Sequence, residues 1–425
     1  MRITLIDGAR SGPASDRIGS ALGIRASRLH VHRLEEETVA PCRGSFECWT
    51  DHPGVCGTRD HAQFVLQDLL AADVVAWVTR PRFGAWDARS KGVLDRSLGL
   101  LLPVLETTPD GETRARTRYP HYPRWIVFAV GGGRAEQRKL FRRLVGRNVA
   151  NLRAEPPWIE FFDDEVPLAS MDAAVERALA APEPGLGVKR PPASDWLSRE
   201  GVPGGDRSRH VLVWVGSAKA PGASSSEALG RALAERLVAR GWTMEVIGGL
   251  SAAREPDRLI AAVERSDLVV PTAPVYVDTL PGIVLAGLGQ LVDRRALRRT
   301  AWLPIVQCGL PELSHTALAV ETFQHAVGDR GDAWCGHLAM AQGEMLQGRS
   351  PGEVSRARHQ VQALDEAAEA IDVGHPLPGS VTAEFGRTTI PSSLYRAAGR
   401  AGWLWRALRS GSLGQLEAQP LHVDS

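Results

Sequence analysis

The sequence is poor in cysteine, in lysine and in excess charge of either sign. Only 5 of its 425 residues are cysteine, an odd number that argues against a disulfide framework in a chain long enough to build a core. Lys+Arg is 50 and Asp+Glu is 49, which argues against a broad nucleic-acid-binding face. The apolar run at the first residues is too short for a signal peptide, so we expect a cytoplasmic protein.

Long apolar runs are also scarce. The longest weakly charged stretch, residues 268–293, has the length of a membrane span. Pro271, Pro274, Pro281 and Gly282 interrupt it, and such punctuation favours a strand, a loop and a helix in a buried core. We therefore expect no integral membrane span.

Short apolar strands alternate with helical patterns along both halves of the chain. This alternation predicts parallel sheets covered on both faces. Strands are expected near 2–6, 28–32, 73–79, 125–130 and 158–162, then near 211–215, 243–247, 267–271, 301–306 and 334–338. A helix is expected between each pair, including one over 90–102. The predicted fold class is α/β, with two tandem flavodoxin-like, doubly wound, five-stranded parallel sheets and a C-terminal helical tail.

Composition shifts divide the chain into four segments. Residues 1–181 form the first domain, 182–209 a proline-rich linker, 210–372 the second domain and 373–425 the tail. The Asp-Gly pair within 109–112 predicts a small hairpin that decorates the first domain. A basic and aromatic run over 394–406 predicts a short helix in the tail.

A loop rich in glycine and hydroxyl side chains follows the first strand of the second half. It runs from Gly216 to Ser226 and leads into a helix. Hydroxyls and free N–H groups at a helix N-terminus form a phosphate cradle, which the helix dipole reinforces. The spacing matches neither a nucleotide-triphosphate P-loop nor the G-x-G-x-x-G motif. The loop predicts a phosphate site of another kind, with a serine-rich N-cap as the simpler alternative.

Two further loops follow the third and fourth strands of this half. Residues 273–281 combine prolines with an aromatic residue that can support a planar ring, and residues 307–312 would close the site from the other side. Loops in this order, at the carboxyl ends of neighbouring parallel strands, describe a site for flavin mononucleotide (FMN).

Residues 210–350 resemble the NAD(P)H-dependent FMN reductase-like branch of the flavodoxin-like superfamily. The matching runs are G-S-A-K with its three serines, P-V-Y-V-D-T-L-P and C-G-L-P-E. The resemblance implies bound FMN, with NAD(P)H as co-substrate. It assigns FMN binding to Ser217, Lys219, Ser224, Ser225, Ser226, Pro274, Val275, Tyr276, Val277, Cys308 and Gly309.

The first half resembles the same superfamily, including its iron–sulfur flavoproteins. The matching runs are the cysteine-containing stretch 41–60 and residues 79–84. Its phosphate loop, residues 7–15, is eroded, because Asp7 would repel a phosphate unless Arg10 offsets its charge. The flavin-binding residues that the resemblance implies here are Arg10, Ser11, Ser15, Pro81, Phe83 and Gly84.

The cysteines of the first half fall short of a four-cysteine cluster. Ser45 stands where the related iron–sulfur flavoproteins have a cysteine, which leaves Cys42, Cys48 and Cys56, whereas a cluster normally takes four thiolates. Zinc would need a further ligand, such as His52 or Asp51. His30 and His32 alternate on a predicted strand without a third ligand nearby. We therefore expect no metal site.

Together with the resemblance, these patterns predict a two-domain flavoprotein oxidoreductase. FMN would take a hydride from NAD(P)H and pass electrons to a small-molecule acceptor such as a flavin or a quinone. We assign no catalytic side chain, because the cofactor carries the redox chemistry. The alternative is a non-catalytic electron-transfer or interaction module that holds flavin, with a cofactor-free first domain. The acceptor, the choice of NADH or NADPH and any homo-oligomer stay open.

Overall fold

A computed structural model describes residues 1–10, 12–131, 133–163, 167–180, 197–202, 208–294 and 299–421. Ser11 and most of the predicted linker lie outside the described residues. The chain divides into unit 1, which comprises Met1–Arg190 and Ala397–Ser425, and unit 2, which comprises Pro191–Arg396. The domain limits drawn from the sequence stay predictions.

Unit 1 is built around a five-stranded parallel sheet. The strands of unit 1, including a separate hairpin of β4 and β5, are β1 (Arg2–Asp7), β2 (Arg28–Arg33), β3 (Val74–Thr79), β4 (Leu101–Thr107), β5 (Thr113–Thr117), β6 (Arg124–Val130) and β7 (Trp158–Phe162). Its helices are α1 (Pro13–Arg25), α2 (Glu47–Thr50), α3 (Ala62–Ala71), α4 (Ala88–Asp95), α5 (Ala135–Asn151) and α6 (Leu168–Ala180). The sheet order is β2-β1-β3-β6-β7, which is the doubly wound flavodoxin-like order.

The central strand of unit 1 shows why this sheet needs helices on both faces. Every residue of β3 is buried, as expected for a parallel strand covered on both sides. On one face Trp77 packs against Trp86 and Trp125, with ring centroids 5.2 and 5.3 Å apart. On the other face Ala76 and Val78 join a core that includes residues of α1 and α6.

One predicted helix of unit 1 is wrong in its second half. The helix expected over 90–102 ends at Asp95, and Leu101–Thr107 forms β4, which pairs antiparallel with β5. The apolar residues at 98–103 support either assignment, because short apolar runs do not separate helix from strand. The hairpin predicted around residues 109–112 is confirmed as the β4–β5 turn.

Unit 2 repeats the same winding. Its strands are β8 (His210–Val215), β9 (Thr243–Gly248), β10 (Leu268–Pro274), β11 (Ala301–Trp302), β12 (Ile305–Gln307), β13 (Ala333–Trp334) and β14 (Leu338–Met340). Its helices are α7 (Ser225–Val238), α8 (Gly249–Arg254), α9 (Pro256–Arg265), α10 (Gly282–Asp293), α11 (Ala317–Arg330), α12 (Arg358–Asp372) and α13 (Gly379–Phe385). The last helix, α14 (Ser392–Ser410), belongs to unit 1 from Ala397 onward.

Two prolines split the fourth and fifth strand positions of unit 2 into short segments. β11 and β12 both pair with β10, and β13 and β14 extend them outward. Leu303 donates its N–H to Val269 O, and Leu338 donates to Pro304 O. Pro271 and Pro304 lack the N–H that would continue each ladder. If β11 and β12 are counted together as the fourth strand, and β13 and β14 as the fifth, the strand order is again that of a five-stranded flavodoxin-like sheet. The predicted fold class is therefore confirmed.

The stretch 268–293 is a strand, a loop and a helix, as predicted, because β10 and α10 occupy its two ends. Within the part of the chain that the structure describes, no helix combines the length and the apolar character needed to cross a membrane.

Candidate cofactor site

The loop after β8 leads into the N-terminus of α7. Gly216 begins it and donates its N–H to Thr272 O at 2.6 Å. A Cβ on Gly216 would lie 2.8 Å from that oxygen and 2.5 Å from Val284, so a side chain does not fit. Ser224 ends the loop as the N-cap of α7, and its hydroxyl accepts the Glu227 N–H. The predicted phosphate residues therefore lie where N–H groups and the helix dipole favour an anion.

The next two serines, both buried, have protein partners. Ser225 Oγ accepts the N–H of Gly348 at 3.3 Å, and Ser226 Oγ accepts the side-chain amide of Gln307 at 3.4 Å. A hydroxyl that accepts a hydrogen bond keeps its own proton. Each serine can therefore still donate to an anionic oxygen.

Ser217 and Lys219 lie at the start of the loop. The hydroxyl of Ser217 accepts the Lys219 N–H at 3.2 Å, which fixes the loop backbone. Lys219 is half-buried and is the one cation in residues 216–226. No carboxylate among the described residues pairs with it, so its charge is available to a ligand.

Glu227 places a carboxylate in this loop, a feature that the sequence analysis missed. Its Oε2 accepts the Gly222 N–H at 2.8 Å, and its Oε1 accepts Arg231 Nε at 2.8 Å. The side chain is buried. The Gly222 N–H thus already binds an anionic oxygen, and this carboxylate oxygen stands in for the oxygen of a bound phosphate. The carboxylate would also repel that phosphate, so binding requires Glu227 to turn toward Arg231.

The loop after β10 makes a tight turn directly after the buried Pro274. Tyr276 and Thr279 exchange backbone hydrogen bonds of 3.0 and 3.2 Å. Between them, Val277 and Asp278 have φ of 44° and 66°. Positive φ at both central residues is the signature of a type I′ turn, which favours Asn and Gly. Neither Val277 nor Asp278 is an asparagine or a glycine, so this turn stores backbone strain. Strain of this kind is concentrated at functional sites.

The loop after β10 is joined to the end of β12 by a backbone hydrogen bond. Val275 donates its N–H to the backbone oxygen of Gln307 at 2.8 Å. Burial raises the pKa of the Cys308 thiol to about 12, so this cysteine stays protonated and is not a nucleophile. Gly309 is exposed, and its carbonyl accepts the Tyr395 hydroxyl at 3.0 Å.

In unit 1, Asp7 places a buried carboxylate directly before the first loop. Burial raises its pKa to about 6, although a hydrogen bond from Ser15 and the charge of Arg33 act in the opposite direction. Arg33 lies 3.8 Å away. Asp7 Oδ1 is buried without a hydrogen-bond partner among the described residues. Ser15, predicted to bind phosphate, thus bonds to a carboxylate, and the exposed Arg10 is left as the cation of this loop.

A second carboxylate borders the same loop. Asp87 caps α4, where it accepts the N–H groups of Arg89 and Ser90 at 2.9 Å. A Cβ on Gly8 would lie 2.0 Å from Ser90 Oγ and 2.6 Å from Asp87 Oδ2. Asp87 also raises the pKa of Asp7 further, after burial. With the buried Asp7 and the half-buried Asp87 beside the loop, unit 1 does not fit a phosphate dianion.

The turn after β3 in unit 1 matches the turn after β10. Arg82 and Ala85 exchange backbone hydrogen bonds, and Phe83 and Gly84 between them have φ of 57° and 74°. Pro81 is buried, and Phe83 is only 2% exposed. The predicted ring-contacting residues of unit 1 are therefore packed inside the protein.

Arg96 organises the cysteine loop of unit 1, which is the stretch 41–60 with Cys42, Cys48 and Cys56. Its guanidinium donates to Ala40 O and to Asp60 at 2.8 Å, to Thr58 O at 2.7 Å and to Cys56 Sγ at 3.2 Å. These bonds join both ends of the loop without a metal. The Arg96 guanidinium therefore lies beside one of the three thiols and is ion-paired with Asp60.

Burial raises the pKa of the Cys42 and Cys48 thiols to about 11 and about 12, which opposes the thiolate form that binds metals. Among the described residues, one group of His, Cys, Asp or Glu ligand atoms lies within 4.8 Å of one another, and it contains no cysteine. The three sulfur atoms are therefore not arranged for a single ion.

The C-terminal segment of unit 1 lies against this cysteine loop. Arg406 donates to Ser45 O and to Asp51 Oδ2, both at 2.7 Å. The Trp403 ring packs edge-on against Trp49 with centroids 4.8 Å apart. The helix predicted over 394–406 is confirmed as part of α14, and its last turns complete unit 1.

No family model and no curated protein matches the chain. Similar solved structures include an NADH:FMN oxidoreductase in its apo form, with 16% identity over 41% of this chain and 93% of that chain, and a TM-score of 0.32. An azoreductase from Bacillus anthracis str. Sterne has 13% identity over 39% and 99%, with a TM-score of 0.28. A flavodoxin from Streptococcus pneumoniae TIGR4 has 12% identity over 39% and 97%, with a TM-score of 0.29. Independently of these likenesses, the strand order and parallel pairing give each of the two units a flavodoxin-like fold.

Proposed function

We propose that the chain is an FMN-dependent oxidoreductase that takes a hydride from NAD(P)H, with the flavin held by unit 2. One observation carries the proposal. In unit 2 the predicted cofactor segments meet at the carboxyl edge of the sheet. Val275, directly after β10, donates its N–H to the backbone oxygen of Gln307 at the end of β12, and the Gln307 side chain donates to Ser226 in the first turn of α7. Ligands of doubly wound sheets bind at this edge, where the strand order reverses.

The donor set of unit 2 fits an anionic phosphate. Lys219 supplies the charge, Ser217 and Ser225 supply hydroxyl protons, and the loop before α7 supplies backbone N–H groups. The Gly222 N–H already binds the Glu227 carboxylate, and a phosphate would replace that carboxylate. Residues 220–223 are exposed, which gives a ligand access from solvent.

When bound, FMN would supply hydride acceptance and onward electron transfer. The chain's own residues would bind and orient it. The turn at Tyr276–Thr279 is fixed by paired hydrogen bonds, so it would present a rigid edge to a planar ring. Unit 1 is proposed to carry no flavin, because Asp7 and Asp87 line its first loop.

The test is reduction of the flavin-loaded full chain without oxygen. The chain is incubated with FMN, freed of excess and mixed with NADH or NADPH, and flavin absorbance is followed. We expect bleaching with at least one of the two. Lys219→Ala should bind FMN at least about tenfold more weakly, since a charge-assisted bond is lost. Lys139→Ala, at an exposed position of unit 1, is the matched control.

Two results would separate the alternatives. FMN binding without bleaching by either nucleotide would favour the electron-transfer or interaction module. Failure to bind FMN at all would remove both flavin functions.

A further inference from the structure

A cluster of two histidines and a glutamate lies in unit 1, apart from the first loop. His32 comes from β2, Glu37 from the turn after it, and His61 directly precedes α3. His32 Nδ1 lies 3.0 Å from His61 Nε2 and 3.7 Å from Glu37 Oε1. His61 Nε2 lies 2.6 Å from Glu37 Oε2. Three ligand atoms from three separate segments therefore point at one place.

The hydrogen bonds within the cluster do not satisfy all of these atoms. Glu37 Oε2 is buried and has no partner of hydrogen-bond geometry among the described residues, although His61 Nε2 lies close by. A neutral imidazole carries one N–H, so His61 Nε2 can donate to either His32 or Glu37 but not well to both. A cation between the three atoms would satisfy each of them.

A neighbouring carboxylate orients one histidine for this role. Asp68, on α3, accepts His32 Nε2 at 2.9 Å and lies 3.0 Å from His30 Nδ1. This bond places the His32 proton on Nε2 and turns the Nδ1 lone pair toward the cluster. Histidine ligands of metals typically have such a carboxylate on their second nitrogen.

We infer that His32, Glu37 and His61 form a site for a divalent first-row transition ion of the zinc type. Two imidazoles and one carboxylate are ligands that suit Zn²⁺, and three protein ligands leave a fourth position for water. The His61 side chain is 30% exposed, whereas that of His32 is 7% exposed. The site is therefore reachable from solvent on the His61 side.

The position of the site indicates what the ion would do. Glu37 precedes the cysteine loop and His61 follows it, and the His61 N–H donates to Thr38 O at 3.3 Å. An ion bound to both residues would close the base of this loop. Zinc should therefore slow hydrogen exchange in residues 38–60, a readout that does not depend on any activity.

The experiment uses the full chain after chelator treatment. Zinc is added during calorimetry, and the bound metal is counted by mass spectrometry. We expect one zinc per chain, its loss in His61→Ala, and an affinity about 10–100-fold lower in Asp68→Asn, the range for an orienting carboxylate. His121→Ala, at an exposed position of unit 1, should bind like the unaltered chain.

Cobalt(II) distinguishes this site from the nearby cysteines. The cobalt-loaded chain should show ligand-field bands without a thiolate charge-transfer band. The inference is overturned if the unaltered chain binds no zinc, if His61→Ala binds it equally well, or if the cobalt spectrum shows thiolate ligation. These outcomes do not depend on FMN binding, so the site stands or falls separately from the proposed function.

Discussion

Replacing Asp7 by asparagine should stabilise unit 1 at neutral pH and have little effect in acid. Asp7 is buried, and its pKa is about 6 in the folded chain against an ordinary 3.8. Between these values the folded state binds more protons than the unfolded state, so stability falls as the pH rises through this range. Asparagine carries no charge and can still accept the bond from Ser15.

The size of the effect follows from the pKa values. A rise from 3.8 to about 6, at about 1.4 kcal/mol for each pH unit, costs the native state about 3 kcal/mol at neutral pH. About 2 kcal/mol of this loss falls between pH 4.5 and 7.5, because part of it is already present at the lower pH. Asp7→Asn should therefore gain about 2 kcal/mol relative to the unaltered chain over that interval.

Hydrogen exchange of peptides from β1 and β3 measures this difference within unit 1. Both proteins are compared at the same pH, so intrinsic exchange rates cancel. Asp16→Asn is the control, since Asp16 also pairs with Arg33 but is exposed. An advantage of Asp7→Asn that is equal at pH 4.5 and 7.5 would refute the reasoning, because a packing effect alone does not depend on pH.

Three further predictions concern other parts of the chain. Glu227→Gln should bind FMN about tenfold more tightly, because it removes a charge facing the phosphate; riboflavin affinity and the exposed-site control Glu235→Gln should show no change. Cys308, whose thiol pKa burial raises to about 12, should resist a thiol reagent at pH 8 in the native chain and react in urea; reaction at the rate of a free thiol would contradict its burial. In urea unfolding, Trp403→Ala should lower the free energy of unfolding by about 2 kcal/mol, because the contacts of the ring with the cysteine loop are lost. The control Trp405→Ala, at a residue that is 60% exposed, should change this free energy by less than about 0.5 kcal/mol.

The sequence indicated the fold well because its strands are continuous apolar runs. β3 and β6 are buried on both faces, and such runs between helical patterns have few other interpretations. The error over residues 90–102 came from a short apolar run, whose periodicity does not choose between helix and strand. The two prolines that split the later strands of unit 2 were visible, but their effect depends on which neighbour each missing N–H faces.

The candidate sites were harder to predict, because they depend on contacts between distant residues. The repulsive carboxylate of Asp7 could be predicted, since it directly precedes the loop glycine. Glu227 could not, because a glutamate in the first turn of a helix is ordinarily a stabilising, solvated residue. His61 lies 29 residues from His32, and only the packing of α3 beside the sheet brings the two rings together.

The most direct test of the account is the number of FMN molecules that the full chain binds, and where they bind. The chain is saturated with FMN, separated from free flavin and assayed for flavin per chain, together with Lys219→Ala and Arg10→Ala. The account predicts one FMN, weakened by Lys219→Ala and unchanged by Arg10→Ala, a substitution in the first loop of unit 1. Two FMN per chain, or one that depends on Arg10, would contradict the assignment of flavin to unit 2, and none at saturating FMN would contradict flavin binding itself.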